Sequence, residues 1–146
     1  PTELVNEIGE HIRKIGNEYG ATTGRDRRCG WLDLVALKYS IVINGVTELN
    51  MMKADVLSGF DSIEVCTGYK INDVETDRFP YDLNSGDINP VYKTFKGWTD
   101  DISKINKEES LPIELHEYIS FIEEFIEVPI KLISVGPDRS ETIHRI

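Results

Sequence analysis

WLDLVALKYSIVINGVTELNMMKAD, running from Trp31 to Asp55, holds one complete helix, turn, strand and loop step. From Trp31 to about Ile43, the residues Leu32, Val35, Ala36, Tyr39 and Val42 fall at helical spacing and mark an apolar stripe. Asn44-Gly45 follows, a pair tolerant of the left-handed backbone that closes helices. Val46 to Met52 then reads as an extended apolar strand, and the polar Lys53-Ala54-Asp55 places a loop at its carboxyl end. A helix feeding a strand whose far end carries polar residues is the step from which α/β layers are built.

The flanking chain fits that class. Leu4, Val5, Ile8, Ile12 and Ile15 recur every three or four residues between Glu3, Glu7, Glu10, Arg13 and Lys14, which predicts an amphipathic helix ending between Gly16 and Gly20. Downstream, Phe60–Ile71 and Val74–Phe79 flank Asn72-Asp73, a dipeptide suited to a tight hairpin. Residues 80–112 are rich in Asp, Asn, Gly, Pro and Lys, so irregular surface structure is expected there, with one strand near Val91. Helical spacing returns at Leu115, Tyr118, Ile119, Ile122 and Phe125, and the apolar run Val128–Ile133 reads as a buried strand. Ser134-Val135-Gly136-Pro137 breaks that strand. Pro137 suits the first position of a helix, with Ser134 or Asp138 available as a cap, so a helix start is expected after it. The architecture expected is α/β, a mixed sheet with flanking helices and a hairpin, without internal repeats, low-complexity segments or a linker.

Composition narrows the function. With 40% hydrophobic residues the 146-residue chain can bury an ordinary core, so a soluble globular protein is expected. Sixteen basic against 26 acidic residues give a net charge of −10, which opposes general affinity for nucleic acid or anionic membrane. No apolar stretch approaches the ~20 residues of a membrane span, and the first residues do not resemble a secretion signal. A cytoplasmic location is expected. Cys29 and Cys66 belong to no Cys-x-x-Cys pair, and His11, His116 and His144 do not stand at metal-ligand spacing around them, so both read as reduced structural thiols. Pro1 occupies the first position and a helical pattern follows at once, from which a natural start further upstream is expected.

Three short segments carry groups with chemistry. Thr22-Thr23-Gly24-Arg25, followed by Arg27 and Arg28, places hydroxyls, a glycine and several guanidiniums together. Planar guanidinium forks and N–H groups beside glycine suit carboxylates and phosphates. The same run also fits a solvated basic turn. Lys53-x-Asp55 at a strand end suits guanine: a carboxylate set edge-on accepts both the ring N1–H and the 2-amino group, a pairing adenine cannot offer. A lone Lys-x-Asp is equally a strand-end turn. Ser134 to Arg139 follows a buried strand, where loops at carboxyl ends often meet ligands. The acidic pairs Asp100-Asp101 and Glu123-Glu124 read as solvated charge, and Tyr118, Ile119, Phe121 and Phe125 as core. The chain contains no Gly-x-Ser-x-Gly, no HExxH and no GxxxxGK[ST] phosphate loop.

Taken together, the run Gly20 to Asp33, then Met52-Lys53-Ala54-Asp55-Val56-Leu57, Pro80-Tyr81-Asp82-Leu83, Gly97-Trp98, and Ser134 to Arg139 followed by Glu141-Thr142 resemble, in order and spacing, the adenylosuccinate synthetase family. The likeness covers nearly the whole chain and matches the C-terminal part of that P-loop-NTPase-like fold. It implies a two-step, magnesium-assisted ligation on the route to AMP: GTP phosphorylates the 6-oxygen of IMP, and the amino group of L-aspartate displaces that phosphate to give adenylosuccinate. By the family pattern Ala21, Thr22, Thr23, Gly24, Arg25, Asp26 and Arg27 form the loop that closes over aspartate. Arg25 would also reach IMP and Arg27 the GTP side, while Lys53, Ala54, Asp55, Ser134, Val135 and Gly136 would hold the guanine. Two positions depart from the pattern: Asp26 stands where a basic residue or proline is common, and Val135 where threonine is common. Asp26 lowers local positive charge, and Val135 is limited to backbone contacts.

The resemblance also implies that residues 1–146 are a C-terminal region. The family's glycine-rich phosphate loop, catalytic Asp and His, magnesium ligands and most of the IMP pocket belong to an N-terminal part, so these residues alone are expected to be inactive. The intact protein is expected to be a homodimer. The alternative is a non-catalytic guanine-nucleotide-binding or interaction module that retains the family's C-terminal fold.

Overall fold

The structure is a computed structural model that describes residues 1–83 and 87–145. Residues 84–86, within the segment expected to be irregular, lie outside the described residues. The chain forms two compact units, each built from two segments: Pro1–Val35 with Glu64–Lys93, and Ala36–Ile63 with Thr94–Ile146.

In the first unit, α1 spans Glu7–Ile15. Its start lies three residues later than the apolar spacing predicts, because Glu3 bridges Gly30 and the Leu4 N–H donates to the Cys29 carbonyl at 2.9 Å. Asn6 becomes the cap, its Oδ1 accepting from Gly9 N at 3.1 Å. Strand β1 is short, Leu32–Asp33, and runs parallel to β3, Ser62–Ile71, with Leu32 opposite Val65 and Asp33 opposite Cys66. That pairing takes Trp31 to Asp33 out of the expected helix. Strand β3 turns through Asn72 and Asp73, with φ of 47° and 68°, into the antiparallel β4, Val74–Thr76, as the dipeptide predicts. The core of this unit contains Trp31, Leu34, Val65, Cys66 and Tyr69. Both cysteines are free thiols; burial is the main cause that raises Cys66 to about 11, which keeps it protonated and unreactive. The Tyr69 hydroxyl donates to Asp33 Oδ2 at 2.6 Å, tying β3 to the segment that leads out of β1.

Helix α2, Leu34–Asn44, begins at the end of the first unit and carries the chain into the second, closing at Gly45 with φ of 62°. The expected strand shrinks to β2, Leu49–Met51. The expected strand near Val91 is β5, Ile88–Lys96, which pairs with β3; nine residues are ordered where irregular structure was expected, since Val91, Tyr92 and Phe95 favour the pleated backbone. Helix α3, Ile113–Ile126, buries Leu115, Tyr118, Ile119, Ile122 and Ile126. The Phe95 ring meets Tyr118 and Phe121 at centroid distances of 5.8 and 5.0 Å, and Trp98 meets Tyr118 at 5.8 Å, so these aromatics are packing groups. Lys38 Nζ donates to the Phe125 carbonyl at 2.9 Å and to Glu127 Oε1 at 2.7 Å, placing a cation at the carboxyl end of α3.

After Glu127, left-handed with φ of 60°, the chain enters β6, Ile130–Ser134. Strand β6 lies between β2, parallel to it, and β7, Thr142–His144, antiparallel. No helix starts at Pro137, contrary to the sequence expectation. Ser134 pairs with Thr142, and residues 135–141 form the return of a hairpin in which Asp138 accepts from Ser140 instead of capping a helix. Among the described residues no helix is long and apolar enough to cross a membrane.

Arg145 joins the pieces of the second unit. Its guanidinium donates to Glu108 Oε1 and Glu123 Oε1, both at 2.6 Å, and to the Ile130 carbonyl at 2.6 Å. Glu123 Oε1 also accepts from Ile130 N at 2.6 Å, so α3 and β6 share one charged junction. Because the side chain is only 18% exposed, Arg145→Ala leaves a poorly solvated carboxylate behind and is expected to destabilise the protein by about 2–3 kcal/mol, with Arg145→Lys intermediate. Urea unfolding of the three proteins measures this.

Candidate functional site

In the second unit the decisive geometry is the parallel pair β2 and β6. Leu49 faces Ile130, Asn50 faces Leu132 after a one-residue bulge, and Met51 faces Ile133. Both strands therefore end at the same edge of the sheet, and the loops that follow them emerge side by side. After Met51, Lys53 adopts a left-handed backbone with φ of 58° and ψ of 40°, a conformation unusual for a residue with a side chain. The chain then winds into a 3₁₀ turn, Ala54–Leu57, which packs against β6. Ala54 and Val56 are buried and anchor the turn, while Lys53 remains exposed.

Asp55 lies on that turn, and its Oδ1 is buried without a hydrogen-bond partner among the described residues. A buried carboxylate oxygen left unpaired costs free energy, and such groups are commonly completed by water, an ion or a ligand. After Ile133, Ser134, Val135 and Gly136 are all buried, whereas Pro137 to Ser140 are exposed. The Ser134 hydroxyl donates to the Gly136 carbonyl at 2.9 Å, curling the backbone into a compact turn. Val135 N–H donates to the Glu141 carbonyl at 2.9 Å. The structure thus brings together two predicted groups of residues separated by about eighty positions in sequence.

In the first unit, Ala21 to Arg27 form the tip and one arm of a tight hairpin. Tyr19 bridges Asp26, Arg27 N–H donates to the Glu18 carbonyl at 3.0 Å, and Gly20 N–H to the Arg25 carbonyl at 2.8 Å. Gly24 N–H closes the tip on the Gly20 carbonyl at 2.8 Å, with Gly24 at φ of 64°, where a side chain would be strained. All seven residues are exposed. Arg27 pairs with Glu18 at 2.9 Å, Arg28 with Glu3 at 3.6 Å, and Asp26 with Arg13 at 3.7 Å. The Arg25 guanidinium forms no ion pair among the described residues, leaving its donor fork available. Arg25, Arg27 and Arg28 line a cleft of about 900 Å³ with Glu3, Asp87 and Asn89.

The braces Arg13 and Glu18 carry no sequence signal, since Arg13 acts on Arg27 across fourteen residues, its Nε donating to the carbonyl at 2.9 Å. Glu141 was visible only as part of the family-like run. Among the described residues no group of three or more His, Cys, Asp or Glu could hold a metal ion.

Loops at the shared carboxyl edge of parallel strands, one bearing a buried carboxylate oxygen without a partner among the described residues, belong to an α/β protein and stand where ligands of α/β folds commonly bind. The family model for adenylosuccinate synthetase matches residues 1–143, and the chain belongs to that family. It is 57% identical over 145 residues to the adenylosuccinate synthetase of Christiangramia forsetii, covering 99% of this chain and 34% of the relative. It is 56% identical to that of Phocaeicola vulgatus, again across 99% of this chain and 34% of the relative. Fully ligated adenylosuccinate synthetase from Plasmodium falciparum superposes with a TM-score of 0.93 at 41% identity, covering 99% of this chain and 35% of that one. The chain spans about a third of the length of these relatives.

An unpaired buried oxygen is a cost in the ligand-free protein. Asp55→Ala is therefore expected to leave unfolding free energy unchanged or raised by up to about 1 kcal/mol, against the usual direction for a partly buried side chain. A loss above about 1 kcal/mol in urea unfolding would show that the carboxylate has a structural partner.

Proposed function

We propose that residues 1–146 form the C-terminal, substrate-loop and guanine-reading region of a GTP-dependent ligase that joins IMP and L-aspartate into adenylosuccinate. The observation that carries this reading is the buried, unpartnered Asp55 Oδ1 at the carboxyl edge of β2 and β6. In this reading the Asp55 carboxylate accepts the guanine N1–H and 2-amino hydrogens, the Lys53 stem lies along the base, and the backbone of Ser134, Val135 and Gly136 closes over it. Ala54 and Val56 hold the turn rigid, so the carboxylate is oriented before the base arrives. Val135 lacks a hydroxyl, and its contribution is confined to main chain.

The Ala21–Arg27 hairpin serves L-aspartate. Thr22 and Thr23 at its exposed tip offer hydroxyl and backbone donors to the two carboxylates, and Arg25 supplies a charge-assisted fork that also reaches IMP. Arg27, held by Glu18, faces the GTP side. Asp26, engaged with Arg13, lowers the positive charge of the loop and braces the hairpin. Magnesium would neutralise phosphate charge during the transfer. By the family resemblance its ligands and the phosphate cradle belong to the rest of the full-length protein, a cytoplasmic homodimer. Residues 1–146 alone are accordingly inactive and bind guanine nucleotides weakly, on the order of millimolar, since a base contact without phosphate contacts must offset the whole cost of immobilising the ligand.

In the full-length ligase, Asp55→Asn is expected to weaken GTP by about 2–3 kcal/mol and to favour xanthosine triphosphate, whose 2-oxo group matches the new amide donor. Steady-state rates with the two nucleotides check this, and an unchanged GTP preference would remove the guanine assignment. Arg25→Leu is expected to raise the KM for aspartate, lower turnover, or both, with less effect on GTP. Loss of folding stability with unaltered aspartate dependence would instead make the hairpin a solvated basic turn.

A further inference from the structure

We infer that Glu141 is the positioning residue of the base-closing loop, and that Gly136 lacks a side chain in order to admit the Glu141 carboxylate. The inference rests on the guanine reading of Asp55 and deepens it. Glu141 binds the loop at three points: its carbonyl accepts from Val135 N–H at 2.9 Å, its own N–H donates to the Asp138 carbonyl at 3.0 Å, and its Oε2 accepts from Asp138 N–H at 2.7 Å. The last bond is charge-assisted, so it is the strongest of the three. The carboxylate also lies against Gly136. A Cβ built there would overlap it, with the Glu141 Cδ only 2.6 Å away and Oε2 closer still.

Gly136 does not have a positive φ, so no left-handed backbone demands glycine there; a Cβ at this position would instead displace the Glu141 carboxylate, the end of a flexible side chain, from its place against the loop. The far side of the loop is fixed independently. Asp138 Oδ1 accepts from the Ser140 N–H at 2.9 Å and from the Ser140 hydroxyl at 2.6 Å, and these bonds hold the Asp138 carboxyl below its ordinary pKa. The Ser134 hydroxyl bonds the Gly136 carbonyl from the strand side. With Asp138 and Ser134 fixing the two shoulders, Glu141 decides where the backbone of 135 and 136 lies. It touches no substrate; it acts through the peptide groups that would close over the base.

The test uses the full-length protein with IMP and aspartate saturating. Glu141→Ala is expected to raise the KM for GTP about tenfold, the equivalent of one charge-assisted hydrogen bond, while kcat and the KM for aspartate stay within about twofold. Glu141→Gln retains an acceptor for Asp138 N–H and is expected to recover most of the loss. Gly136→Ala is expected to raise the KM for GTP in the parent protein but to add little on top of Glu141→Ala, because the group it strikes is gone. A lower melting temperature with unchanged KM for GTP in both Glu141 variants, or additive effects of Gly136→Ala and Glu141→Ala, would overturn the inference. Asp55→Asn separates the two levels. If it leaves nucleotide preference unchanged, the guanine reading fails and takes this inference with it; if preference moves to xanthosine triphosphate and Glu141→Ala has no effect on GTP, only the role of Glu141 is wrong.

Discussion

The parallel pairing of β2 with β6 is the constraint on which the proposed base-reading site depends. Parallel strands end at the same edge, so the register that sets Met51 beside Ile133 also brings the Lys53 turn to the loop that begins at Ser134. An antiparallel arrangement would send the two loops to opposite edges. The pairing itself is short, and Leu49 N–H donating to the Pro129 carbonyl at 2.9 Å extends it by one bond. Its position is fixed from behind by α3, whose Glu123 binds both Ile130 N–H and Arg145. The charged junction thus ties α3 to the start of the strand that carries one of the two loops.

The region combines a rigid frame with features that are unfavourable in isolation. Lys53 sits in a left-handed conformation, Asp55 keeps a buried oxygen without a partner among the described residues, and the Glu141 carboxylate occupies the space where a Gly136 side chain would stand. The first two cost stability locally, and all three lie at the same sheet edge. Such costs, beside the buried Ile133, Val135 and Ile143, are consistent with the proposed binding site, since strained or unsatisfied groups cluster where function requires them. The hairpin at residues 18–27 is different in kind: backbone hydrogen bonds join its two arms, residues 21–27 are exposed, and its charges are mostly paired with their own unit.

Much of the fold was legible in the sequence because its elements follow simple rules. Helix α3 and the Asn72-Asp73 hairpin appear where periodicity and turn chemistry place them. The failures have a common cause, which is pairing with residues distant in the chain. Glu3 and Leu4 are drawn into extended contacts with Cys29 and Gly30, Leu32 and Asp33 into a strand beside Val65 and Cys66, and Ser134 into pairing with Thr142, where a helix start was expected. Local propensity contains no information on such partners. The neighbourhood of the Lys53 turn and Ser134–Gly136 followed from the family resemblance and not from local pattern, since it depends on the register of β2 and β6. Glu141 escaped attention because its importance lies in contacts to the peptide groups of Val135 and Asp138, which leave no compositional trace.

The central claim is that the orphaned oxygen of Asp55 is completed by a guanine base. The most direct measurement is a crystal structure of the full-length protein with a bound guanine nucleotide. The account predicts the guanine edge against Asp55, with N1 and the 2-amino nitrogen each about 2.9 Å from a carboxylate oxygen, and the backbone of Ser134 to Gly136 over the base. A base bound elsewhere, with Asp55 Oδ1 still unpaired or satisfied by another protein group, would contradict it.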